Sequence, residues 1–187
     1  MATTTKIKEF QVDDYDIVNL FAYSGAIPVT AGTVVCAVGT SGFRTNESNA
    51  TDLGWPGAAT YGNTVTNQWG TTPRVRDCGT GDVPLGLLRY DVRSVDENGL
   101  PLVFYPQKAA ENEWTISGKT SPVLRAGYVF FSGVALGTPT YGAIAYVSGA
   151  GQVAVAPNTV HAAVTARIGT FLGGLGDQDF ALLHIEP

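Results

Sequence analysis

Charge is scarce in this sequence. Only 14% of its 187 residues are Asp, Glu, Lys or Arg, where an ordinary soluble domain carries roughly 25%. Either something else covers much of the surface, or Thr, Ser, Asn and Gln make up the exterior. The 11 Lys and Arg are scattered and the formal net charge is −5. Phosphate neutralisation therefore has no footing, and nucleic acid is excluded as a partner. No apolar run approaches the ~18 residues of a membrane helix. The opening Met-Ala-Thr-Thr-Thr-Lys lacks the apolar stretch of a secretory signal. The expectation is a protein made in a cytosol, with no membrane partner.

Cysteine and histidine are just as sparse, at two residues each. Cys36 lies in the apolar run Val34-Val35-Cys36-Ala37-Val38, and Cys78 in the loop-like Arg76-Asp77-Cys78-Gly79. Without an export signal a reduced pair is expected. Neither cysteine has a His or Cys at metal-ligand spacing, so no metal site is expected. His161 and His184 come with no Gly-x-Ser-x-Gly elbow and read as structural. Ser117-Gly118-Lys119-Thr120 mimics the end of a phosphate-binding loop, but position 113, where the motif needs its other Gly, is Glu. Asp177-Gln178-Asp179 alternates carboxylates without the distant Glu of a calcium loop, and reads as a hairpin turn. No catalytic residue, no cofactor and no metal are expected, and the chain reads as non-enzymatic.

What the sequence has is glycine, proline and β-formers. The 23 Gly and 10 Pro fall every few residues among abundant Thr and Val, a pattern of strands and turns. Strands are expected at 5–12, 17–23, 33–38, 83–92, 102–105, 114–117, 123–131, 143–147, 152–156, 164–172 and 180–185. Asp96-Glu97-Asn98-Gly99 and Ser148-Gly149-Ala150-Gly151 are explicit turns. The one helical candidate is short, over 106–113, with Pro106 at its first position. The expected fold is all-β: a small β-barrel or sandwich with an extended N-terminal arm, one long inserted loop and at most one short helix. Residues 1–16 form the arm, and 17–187 a single β domain with its insertion at about 39–73. Val29 to Val35 faintly echoes Leu124 to Phe130, each placing Ala-Gly before an apolar strand. In so Gly- and Val-rich a chain no duplication is inferred from this.

The insertion is rich in Gly, Thr and Asn yet holds Phe43, Trp55, Tyr61 and Trp69. Aromatics on a long loop suit either a protein contact or a satellite core. In the arm, Ile7, Phe10 and Val12 alternate, as a strand offered to a neighbouring sheet edge would. These seven residues are the candidate interface positions.

Several segments together resemble the head-decoration, or cement, proteins of tailed bacteriophages. They begin with Ser24-Gly25-Ala26-Ile27-Pro28-Val29, Ala31-Gly32-Thr33-Val34-Val35, Pro84-Leu85-Gly86-Leu87-Leu88 and Arg125-Ala126-Gly127-Tyr128-Val129. Tyr141 to Val147 then leads into Gly149-Ala150-Gly151-Gln152-Val153. The chain closes with Ala166 to Leu172, a Gly-Asp turn and the strand through Leu182 and Leu183. The resemblance covers most of residues 17–186; the 39–73 and 94–120 segments depart from it and put the mode of docking in doubt. It implies a small β-barrel that binds the outer surface of an assembled capsid, stabilises it and catalyses nothing. The implied partners are the major capsid protein and the chain itself, as a homotrimer or alternatively a homodimer. The implied location is the virion, after synthesis in the bacterial cytoplasm. The competing class is a carbohydrate-binding or adhesion module of a phage tail fibre or spike, for which Trp and Tyr in a β domain are also suited.

Overall fold

A computed structural model describes residues 6–38, 74–79, 82–155, 166–174 and 179–186. The fold is all-β, with one short α-helix among the described residues. Its strands are β1 (Lys6–Gln11), β2 (Ile17–Tyr23), β3 (Val34–Ala37), β4 (Arg74–Asp77), β5 (Pro84–Leu88), β6 (Asp91–Arg93) and β7 (Trp114–Ile116). They continue with β8 (Thr120–Leu124), β9 (Gly127–Ser132), β10 (Ile144–Ser148), β11 (Gln152–Ala154), β12 (Arg167–Phe171) and β13 (Ala181–Ile185). The helix α1 spans Pro106–Glu111.

Two segments expected as single strands are broken. The 83–92 run ends β5 at Leu88 and restarts as β6 in another sheet, and the 123–131 run is split at Arg125-Ala126, ahead of Gly127 at φ +117°. Leu102–Phe104 is a 3-10 turn rather than a strand, because Pro101 and Pro106 bracket it and its N–H groups bond locally. Strand β4 had no counterpart in the sequence reading: its Arg-Val-Arg-Asp shows one apolar residue.

Five strands close into a barrel in the order β2-β4-β3-β5-β8. Tyr23, Val75, Val35, Leu88 and Val123, one from each strand, meet in its buried interior. The other sheet runs β1-β9-β13-β12-β10-β11. The chain leaving β9 crosses to its far edge, where the Ala135 N–H donates to the Val153 carbonyl and the Val155 N–H to the Leu136 carbonyl, both at 2.8 Å. This sheet is thus a second, open barrel with β1 added on β9.

The two barrels are copies of one unit. Replacing β2, β3, β4, β5 and β8 by β9, β10, β11, β12 and β13 turns the first cyclic order into the second. The registers agree residue by residue. Val34, Val35 and Cys36 face Leu87, Gly86 and Pro84, with a bulge after Val35. Ile144, Ala145 and Tyr146 face Thr170, Gly169 and Arg167, with the bulge after Ala145. Gly32 (φ +85°) donates to the Leu88 carbonyl and Gly142 (φ +79°) to that of Phe171, each at 2.8 Å.

The duplication not inferred from sequence is therefore present in the structure, in a different register from the echo noted above. Residues 21–38 correspond to 131–148, so Gly32 matches Gly142 and not Gly127. It escapes a sequence reading because what persists is spacing of small and apolar residues rather than identity. The 39–73 and 89–119 segments are both insertions in the first copy; the second has the four-residue turn 148–151 and a short link in their places.

The barrels share one core. Val34, Cys36, Leu87 and Leu124 on the outer face of the first barrel pack into the same buried cluster as Val129, Phe131, Phe171, Leu183 and Ile185 of the second. At this seam the Val34 N–H donates to the Gly151 carbonyl (2.7 Å), the Gly151 N–H to that of Cys78 (2.8 Å) and the Cys78 N–H to that of Val34 (2.9 Å).

Two predictions follow the repeat. A Cβ at Gly86 would strike the Leu124 carbonyl oxygen, and one at Gly169 the His184 carbonyl oxygen, at matching positions. Gly86→Ala and Gly169→Ala should each cost about 1–3 kcal/mol in urea denaturation. Conversely, the Ser121 hydroxyl is fully buried without a hydrogen-bond partner, and the repeat places Ala181 at its equivalent. Ser121→Ala should leave stability unchanged or raise it by about 1 kcal/mol in the same assay.

Candidate functional site

The first barrel's second insertion forms an annex. Strand β6 pairs in parallel with β7, Asp91 opposite Trp114 and Arg93 opposite Ile116. Between them the chain turns at Asp96, whose carboxylate accepts the N–H groups of Asn98 and Leu100, both at 2.8 Å. Lys108 on α1 reaches back to Asp96 at 2.7 Å and to Glu97 at 2.9 Å. The Lys108 hydrogen bond, with the Leu100 and Asn98 N–H groups, holds the Asp96 carboxyl below its ordinary range. The two carboxylates in turn raise the Lys108 ammonium. Leu102 and Ala109 are buried beneath.

On this staked frame the flanking side chains point outward. Val95, Leu100, Val103 and Tyr105 are exposed, and Phe104 is 74% exposed. Residues so fixed at the backbone yet uncovered suit a contact surface, because little ordering entropy is left to lose on binding. The sequence signal was the apolar run Leu100 to Tyr105, which the strand reading absorbed as core.

Beside it, Arg93 bonds Asp91 at 2.8 Å and lies 4.3 Å over the Trp114 ring. A cleft of about 280 Å³ lies between Pro28, Val29, Asp91, Arg93, Val95 and Asp96. A more open trough of about 380 Å³ runs past Trp114, Tyr90, Asn19, Arg89 and Lys119. Its aromatic walls and amide and cationic donors can hold a polar ring compound. Among the described residues no three of His, Cys, Asp and Glu come together as a metal cage.

A second uncovered surface is the outer face of the second barrel. Lys8, Phe130 and Leu182 form one cross-strand row, and Tyr128, His184, Thr170 and Ile144 the next. Tyr128 stacks on His184 at 4.6 Å, and Phe10, 62% exposed, meets Phe130 edge-on at 5.3 Å.

Of the candidate interface residues, Ile7 and Val12 pack against the main core, and Phe10 alone of the arm's three faces outward. The arm segment is a strand of its own sheet: β1 pairs with β9, and Glu9 forms a two-point ion pair with Arg89 of the first barrel. Phe43, Trp55, Tyr61 and Trp69 lie outside the described residues.

Cys36 and Cys78 are free, buried and adjacent at the seam. Burial, then the nearby Asp82 carboxylate, pushes the Cys36 thiol up; burial and Cys36 push Cys78 up further. No family model matches the chain, nor does any curated protein or solved structure.

Two outcomes are expected. Asp96 is held below its unfolded value, so its contribution is present above the ordinary carboxylate range and is lost as pH falls through the folded value. Lys108→Met should therefore lower the urea midpoint at neutral pH, and the gap to wild type should narrow in strong acid. Thiols held above their usual pKa carry little thiolate. A thiol reagent should react slowly with the native protein and rapidly with both cysteines in denaturant.

Proposed function

We propose that this protein is a non-enzymatic virion component that binds the outer surface of an assembled bacteriophage capsid and stabilises it. The observation that carries this reading is the staked annex, whose apolar side chains around Phe104 are held outward on a backbone fixed by Asp96, Lys108 and Leu102. A second support is the low charge of the chain, which suits a surface meant to be covered. The resemblance to decoration proteins supplies the class of partner, the major capsid protein. A binder specific for the assembled lattice stabilises it by mass action, and repetition over the lattice multiplies modest contacts.

The competing reading, a carbohydrate-binding module of a tail fibre or spike, draws on the trough at Trp114 and Tyr90. The two readings diverge in one experiment. Purified protein is mixed with capsids of its phage stripped of it, and in parallel with a glycan array. The capsid reading expects saturable particle binding, raised resistance of the particles to heat, and about a tenfold or greater loss of affinity for Phe104→Asp with the fold unchanged, as for a contact aromatic. Binding to glycans alone, abolished by Trp114→Ala, would replace it with the second reading.

A further inference from the structure

The repeat lets one surface of the chain be compared with its own copy. In the first barrel a row of outward side chains runs across four strands: Ile17, Leu124, Leu87 and Val34, each opposite the next. In the second barrel the corresponding row is Tyr128, His184, Thr170 and Ile144. The correspondence is fixed by register: Val34 opposite Leu87 matches Ile144 opposite Thr170, and Leu87 opposite Leu124 matches Thr170 opposite His184.

The two rows differ in what covers them. Val34, Leu87 and Leu124 are fully buried, and Ile17 packs on the same cluster, because the second barrel lies over them. Nothing in the described chain lies over the second row. Ile144 is 40% exposed, while Tyr128, Thr170 and His184 are partly exposed. Phe10, Phe130 and Leu182 extend the uncovered area on the same face.

We infer that the Tyr128–His184–Thr170–Ile144 face of the second barrel is the docking surface for a second copy of this chain. Three observations name that occupant. The chain already makes this contact once, since the equivalent face of its first barrel is closed by another barrel of the same fold. The face therefore continues the barrel-on-barrel interface of the molecule from one chain to the next. Its charge fits as well: the charged side chain set in these rows is Lys8, with Arg167 beside Thr170, whereas the chain as a whole carries −5. An acidic body approaching a weakly basic face gains attraction at long range.

The composition of the row sets the strength of the contact. The covered row is wholly aliphatic, as suits a permanent core. The uncovered row holds Thr, His and Tyr, which tolerate water, so the association is reversible and dependent on concentration. The inference rests on the repeat and is independent of the capsid reading, because self-association is measured without particles.

The test is sedimentation velocity of the full chain over a concentration series to about 100 μM, a range that covers reversible contacts of modest area. Wild type is expected to self-associate with increasing concentration. The double variant His184→Glu, Ile144→Lys should be shifted to monomer, with an unchanged circular dichroism spectrum. Thr170→Arg is a second, single-site variant on the same row and should weaken association at least tenfold. Phe104→Asp, on the annex, should associate like wild type. A wild type that stays monomeric throughout the range overturns the inference, as does a self-associating wild type whose association Thr170→Arg leaves intact.

Discussion

Gly151 is where the two barrels become one body. At φ +68° it turns the β10–β11 hairpin so that its peptide groups meet the backbone of Val34 and Cys78. A side chain there would strike Thr33 Cγ2 at 2.6 Å and the Val34 carbonyl oxygen at 2.8 Å. The approach is open to glycine alone, and the shared core forms around it. Without that seam the outer row of the first barrel, Val34, Leu87 and Leu124, would be an uncovered aliphatic stripe. With it, the row joins the second barrel's interior, and two small barrels gain the burial of one larger domain.

The division of labour between the copies follows. The second barrel is the bare unit, with a tight hairpin and a short link. The first, its interior already filled by Tyr23, Val35, Val75, Leu88 and Val123, accommodates two insertions without opening its ladder. One of these is the annex, which presents outward apolar side chains on a fixed frame. Surface loops bear such additions at small thermodynamic cost when the strands they join stay paired. The uncovered annex and the uncovered row of the second barrel are separate surfaces, so engagement of a shell and contact between copies need not compete for the same residues.

Much of the secondary structure was legible from Gly spacing and Val/Thr content. The short helix at Pro106, the turn at Asp96 to Gly99 and the terminal strand are where periodicity and turn chemistry put them. The breaks at Arg89-Tyr90 and Arg125-Ala126 were not, because an apolar run reads as one strand whether or not its two halves join the same sheet. Strand β4 was hidden because only Val75 faces a core, which leaves no alternation to detect. The annex surface was hidden for the opposite reason: Leu100 to Tyr105 looks like core, and only the pair of prolines and the buried Leu102 show which side chain turns inward.

By itself, the sequence determined the class of the fold. Its glycines, prolines and β-branched residues permit strands and turns and leave little that could be helical, and its scarce charge leaves a surface suited to being covered. Tertiary structure alone decided that the domain is one barrel used twice. Barrel closure depends on register, on bulges and on which glycine meets which carbonyl across the sheet. Those pairings of Gly86 with Leu124 and Gly169 with His184 join residues distant in the chain, where no local pattern marks them.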